Sequence, residues 1–124
     1  MAVRGIRGAI TISHDDHAQV VSATGELLKA IIQANPNLQP EDIASILITV
    51  THDISSEFPA KAIRLLGWVN VPMLCCQEIP VPGSLPLCIR VLIHWNTDQD
   101  QSSIQHVYLQ DALTLRPDLS NSTH

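Results

Sequence analysis

The chain has 124 residues, the size of a single domain, and can bury roughly two thirds of the surface its unfolded form exposes. With 45% hydrophobic and 15% charged residues it is not a disordered tail, a coiled coil or a solvating acidic segment. Seven basic residues against twelve acidic ones give a formal charge of -5 with no basic run, which argues against nucleic acid or an anionic membrane surface as a partner.

Residues 2–12, AVRGIRGAITI, are rich in β-branched side chains and predict a glycine-punctuated strand. Asp15 or Asp16 then caps a helix in which Val20, Val21, Thr24, Leu27, Leu28, Ile31 and Ile32 recur at three- and four-residue spacing until Asn35-Pro36 stops it. After Pro40, Glu41-Asp42 opens one helical turn that runs into the strand ILITV, 46–50. Residues 58–66 predict a second helix, with Pro59 in its first turn and Gly67 just past its end.

VPMLCC, 71–76, reads as a strand, and Pro80, Pro82 and Gly83 mark a loop. CIRVLIHW, 88–95, is a nearly continuous apolar strand broken by Arg90 and His94, and the segments HVYL, 106–109, and ALTL, 112–115, follow it. Arg116-Pro117-Asp118 ends them, and the tail 120–124 is polar and expected to fray. Two main helices with five or six strands make an α/β (α+β) domain covering 1–124. Strands 46–50 and 88–95 read as apolar on both faces, and two helices cannot cover both sides of a sheet. A second copy of the chain is the simplest cover, so a homo-oligomer built through its sheets is expected.

No stretch approaches ~18 uninterrupted apolar residues, and the first residues lack the long apolar core of a signal peptide. The cysteines Cys75, Cys76 and Cys88 are odd in number, two of them adjacent, which favours reduced thiols and a cytoplasmic protein. The six histidines show no metal-ligand spacing, and there is no nucleophile signature, phosphate loop or dinucleotide motif. No metal and no cofactor are expected.

Five of the seven basic residues are arginines, Arg4, Arg7, Arg64, Arg90 and Arg116. The guanidinium fork binds carboxylates in bidentate fashion and stays charged when buried, so an arginine excess in an acidic protein points to an anionic small ligand. Arg90 lies inside an apolar strand, on the face shared with Leu92 and His94. It must meet a carboxylate there, from Glu78 or from a ligand. A purely structural Arg90–Glu78 pair, an exposed Arg7 and a half-buried Tyr108 remain open readings of the same residues.

Taken in order, RGIRGA at 4–9, FPAKAIR at 58–64, the Cys75-to-Glu78 spacing, CIRVLI at 88–93, HVYL at 106–109 and LRPDL at 115–119 resemble the AroH-class, monofunctional chorismate mutases over residues 3–119. That resemblance implies a homotrimeric pseudo-α/β-barrel with active sites in clefts between subunits, and the rearrangement of chorismate to prephenate in phenylalanine and tyrosine biosynthesis. It also implies roles. Arg90 would stabilise the ether oxygen and Glu78 would hold the ring hydroxyl with Cys75 beside it. Arg7 and Tyr108 would bind carboxylates, and Phe58, Lys61 and Arg64 would line the cleft from the adjacent subunit. Leu115 and Arg116 would belong to a C-terminal segment closing the mouth. Two other readings use the same arginines: a trimeric deaminase acting on enamines or imines, and a small-carboxylate-binding module without turnover.

Overall fold

The computed structural model describes residues 1–115. Arg116, the LRPDL motif beyond Leu115 and the tail fall outside the described residues. Strand β1 (Ala2–Thr11) leads into helix α1 (His17–Ala34), followed by a 3-10 turn (Pro40–Asp42), β2 (Ile43–Val50), α2 (Ala60–Leu65), β3 (Met73–Gln77), β4 (Cys88–Thr97) and β5 (Val107–Leu109). The five strands form one mixed sheet in the order β3-β2-β4-β1-β5. Central β4 runs antiparallel to β1 and β2, while the edges β3 and β5 run parallel to β2 and β1.

Each element has a local cause. Asp16 caps α1, its carboxylate accepting the Gln19 backbone N–H at 3.0 Å, which satisfies one of the unpaired donors of the first turn. Asn35, placed by the following proline outside helical geometry, ends the helix and is buried but satisfied. Its side-chain N–H groups donate to the carbonyls of Ile31 and Gln105, and its Oδ1 accepts from the Gln105 N–H. Gly67 closes α2 with φ +91°, a conformation glycine adopts without steric cost.

One face of the sheet carries the core. Ile6 and Ile10 of β1, Ile46 and Ile48 of β2, and Ile89, Val91, Ile93 and Trp95 of β4 pack against Val20, Leu27, Leu28 and Ile31 of α1. Burying each such aliphatic side chain is worth about 1.5–3 kcal/mol. α1 lies so close that a Cβ on Gly8 would fall 2.7 Å from Ile31 Cδ1, so the glycines of RGIRG serve helix-to-sheet packing at this position.

The residues of β4 alternate as expected, with Ile89, Val91, Ile93 and Trp95 buried under the helices and Arg90, Leu92 and His94 half-exposed on the face that the helices leave uncovered. One expectation needs correction. Residues 112–115 are not a strand. Gln110, with φ +56°, turns the chain, and Gln110–Thr114 forms a 3-10 turn whose Asp111 N–H donates to Thr11 Oγ1, so no further ladder can form. The strand count is therefore five.

Candidate active site

The second face of the sheet bears the charged groups, and cross-strand register aligns them. One row runs Tyr108, Ala9, Arg90, Thr49, Cys76 across β5, β1, β4, β2 and β3. The neighbouring row runs Arg7, Leu92, Leu47, Leu74. Residues paired across a ladder point to the same face, so Arg7, Arg90 and Tyr108 meet although they stand far apart in the chain, Arg7 and Tyr108 at its two ends.

Arg90 Nε stands 3.1 Å from Glu78 Oε1. The contact is ionic but misses hydrogen-bond geometry, so the water-inaccessible Nε–H keeps a free donor among the described residues. The Arg90 side chain as a whole is 42% exposed, although Nε itself is enclosed. Glu78 follows β3, where its backbone N–H donates to the Val50 carbonyl at 2.8 Å, and its Oε1 accepts the hydroxyl of Thr49. A buried N–H left without an acceptor is costly unless a ligand supplies one.

Beside this pair is a recess of about 170 Å³ lined by Arg7, Gly8, Arg90, Val91, Tyr108 and Leu115. Tyr108 is 7% exposed, deeper than a half-buried strand aromatic, and packs with Ala9, Cys88 and Ala112 while Leu115 closes over them. Arg7 is exposed, and its backbone N–H donates to His106 Nδ1 at 2.9 Å. Burial raises the Cys88 thiol, packed in the cluster behind Tyr108, above its ordinary value against the opposing pull of Arg90, which favours the neutral thiol.

The remaining expected residues lie apart. Phe58 is 67% exposed and lines a second hollow of about 280 Å³ with Val50, Ile54, Glu57, Cys75 and Cys76. Lys61 pairs with Glu57 at 3.3 Å, and Arg64 is exposed on α2. The N–H of Phe58 and then Lys61 hold the Glu57 carboxyl below its ordinary range. Ser56 and Ser55 do the same for Asp15, which thereby ties the loop before α2 to the start of α1.

Cys75 is in register with Ile48 and packs on the core, while Cys76 shares the Arg90 row. Thr49 was not legible as a site residue in the sequence; alternation along ILITV places it on the outer face, but its carboxylate partner comes from another strand.

Two larger hollows flank α1, one of about 330 Å³ near Thr11, Glu26 and Asp111 and one of about 760 Å³ near Lys29, Leu65 and Leu109. Neither is lined by an arginine, and the first adds carboxylates, so neither suits a dicarboxylate. Among the described residues no group of three or more His, Cys, Asp or Glu is placed to hold a metal ion, and no helix is long and apolar enough to cross a membrane.

The family model for chorismate mutase type I matches residues 3–119. The chain is 50% identical over 120 residues to the chorismate mutase AroH of Thermus thermophilus, covering 97% of this chain and 98% of that one. It is 46% identical over 121 residues to the chorismate mutase AroH of Bacillus subtilis strain 168, covering 97% and 94%. The solved chorismate mutase of Clostridium thermocellum superposes with a TM-score of 0.86 at 46% identity, over 89% of this chain and 97% of that one. Fold, motif order and likeness along nearly the whole length agree: the chain belongs to the chorismate mutase type I family.

Proposed function

We propose that this chain isomerises chorismate to prephenate in a cleft completed by a neighbouring copy, with Arg90 as the catalytic cation. The observation that carries the reading is the buried, unspent Nε–H of Arg90, held against Glu78 and opening beside Arg7 and Tyr108. The Claisen rearrangement breaks a C–O bond and forms a C–C bond in one pericyclic step, so it calls for no nucleophile, base or cofactor. What it calls for is a folded conformer and a fixed charge pattern. Negative charge grows on the ether oxygen as the bond opens, and a preorganised guanidinium stabilises that state more than the ground state.

Glu78, oriented by Thr49, faces the positive ring and accepts from its hydroxyl, while Arg7 and Tyr108 take a carboxylate. The recess of about 170 Å³ is below the ~300–1,000 Å³ of ordinary ligand pockets. That supports a site shared between chains, with Cys75 beside Glu78, with Phe58, Lys61 and Arg64 of the adjacent subunit on the other side and with the Leu115–Arg116 segment over the mouth. The exposed apolar side chains Leu47 and Leu74 on the same sheet face support a homotrimer closed into a pseudo-α/β-barrel. We place the protein in the cytoplasm, as one domain spanning 1–124, in aromatic amino-acid biosynthesis.

The test is to follow chorismate absorbance with purified protein and no added cofactor. Loss of absorbance with prephenate as product is expected. Binding of chorismate without its loss would overturn the reading.

A further inference from the structure

The strand that carries Arg90 starts from a strained residue. Leu87 has φ +51°, a left-handed conformation that L side chains rarely adopt, and it directly precedes β4. Its backbone is held from two sides. Its carbonyl accepts the Ile12 N–H at 2.9 Å, and its N–H donates to both oxygens of the Asp53 carboxylate, 3.0 Å to Oδ2 and 3.2 Å to Oδ1. The same carboxylate accepts the hydroxyl of Thr51. Thr51 Oγ1 in turn accepts the Cys88 N–H at 3.0 Å, and the Thr51 N–H donates to the Cys88 carbonyl at 3.1 Å.

These bonds converge on the first residue of β4, two positions before Arg90. Thr51 is 7% exposed and Cys88 fully buried, so the bonds cannot be exchanged for water without leaving buried groups unpaired. The same turn also governs the partner. Val50, adjacent to Thr51, gives its carbonyl to the Glu78 N–H, so residues 50–53 set the position of both members of the ion pair. Strand pairing alone does not explain Asp53, because the Thr51–Cys88 backbone bond already extends the ladder without it.

We propose that Asp53 is a positioning residue for the Arg90–Glu78 pair: its carboxylate holds Leu87 in the left-handed geometry and, through Thr51, sets β4 against β2 so that guanidinium and carboxylate meet. This rests on Arg90 being the catalytic cation. A charge aimed at a developing anion loses its value when displaced by a fraction of an ångström.

The experiment compares wild type, Asp53→Ala, Asp53→Asn and the double variant Asp53→Ala/Leu87→Gly, each assayed for chorismate turnover and KM at a temperature where circular dichroism shows it folded. Asp53→Ala is expected to lower kcat per folded molecule about tenfold, more than it changes KM, with Asp53→Asn intermediate. Leu87→Gly in that background should restore kcat to within about threefold of wild type, since glycine adopts this φ without support. A kcat for Asp53→Ala within twofold of an active wild type overturns the proposal alone. So does a double variant that regains thermal stability but not turnover. If Asp53→Ala does not fold, Asp53→Asn decides, and unchanged turnover there is the overturning result. An inactive wild type would remove the reading of the site and this proposal with it.

Discussion

At Arg90 the sequence problem and the chemical one have the same solution. A guanidinium in the middle of an apolar strand must meet an anion, and here it meets Glu78 while retaining a buried N–H for another. Replacing Arg90 with alanine should lower kcat by on the order of 10³ or more, and lysine should do nearly as badly because a flexible ammonium cannot reproduce the fixed fork. Steady-state kinetics of the two variants check this, and near-normal turnover in either would remove Arg90 from its role. Cys88 contributes to the loss of stability in alkali. Burial raises its folded value, so stability is complete below the unfolded value of 9.0 and is lost as pH rises toward the folded one. Chemical denaturation at pH 8 and pH 10 should show a lower midpoint at pH 10, and Cys88→Ser should reduce that difference. Arg90 and its need for a carboxylate were legible in the sequence, which offered Glu78 or a ligand as its supplier. Thr49 and Asp53 were not, because an ordinary threonine and a loop aspartate acquire meaning only from partners 29 and 34 residues away.

At the scale of elements, the fit of α1 on β1 decides how the sheet is backed. A methyl group on Gly8 would collide with Ile31 Cδ1 at 2.7 Å and crowd Leu27 and Val91 at 3.2 Å, all in a core with no slack. Gly8→Ala should therefore cost about 1–3 kcal/mol, read as a lower Tm, and should also disturb Arg7 next to it. A Tm equal to wild type would show that the helix can shift freely. The loop before α2 depends instead on carboxylates. Asp15 and Glu57 are held below their ordinary values of 3.8 and 4.5 by hydrogen bonds, so their contribution is present above those values and is lost as pH falls through the lower folded ones. Phe58 is the single phenylalanine, so one fluorinated phenylalanine reports on this loop. Its resonance should move toward the unfolded position as pH falls below about 4, before global unfolding. The helix boundaries were legible because capping and proline signals act locally. The 3-10 turn at Gln110–Thr114 was not, because an apolar run of four suits several conformations and Thr11 selects one of them.

At the scale of the whole molecule, the sheet has one face sealed by helices and one that exposes Leu47 and Leu74 beside the charged row. Light scattering should give three times the chain mass, and Leu47→Glu should lower the mass and the activity together. A fully active monomer would contradict a shared site. Because the rearrangement transfers no proton, kcat should stay nearly flat from about pH 6 to 9, and a steep bell-shaped profile arising from the chemical step would count against the mechanism.

What the sequence determined by itself was local: the strand and helix periods, the caps, the turn glycines, and the presence of a cation in an apolar strand that had to be paired. Those follow from near neighbours along the chain, and near neighbours are what a sequence displays. Only the tertiary structure decided the register that puts Tyr108, Arg90 and Thr49 in one row and turns Cys76 outward while Cys75 packs inward. It also decided the separation of the arginine recess from the Phe58 hollow on a single chain. Register is set by which faces must be buried together across strands distant in sequence, and a slip of one residue would reverse every side chain in the row.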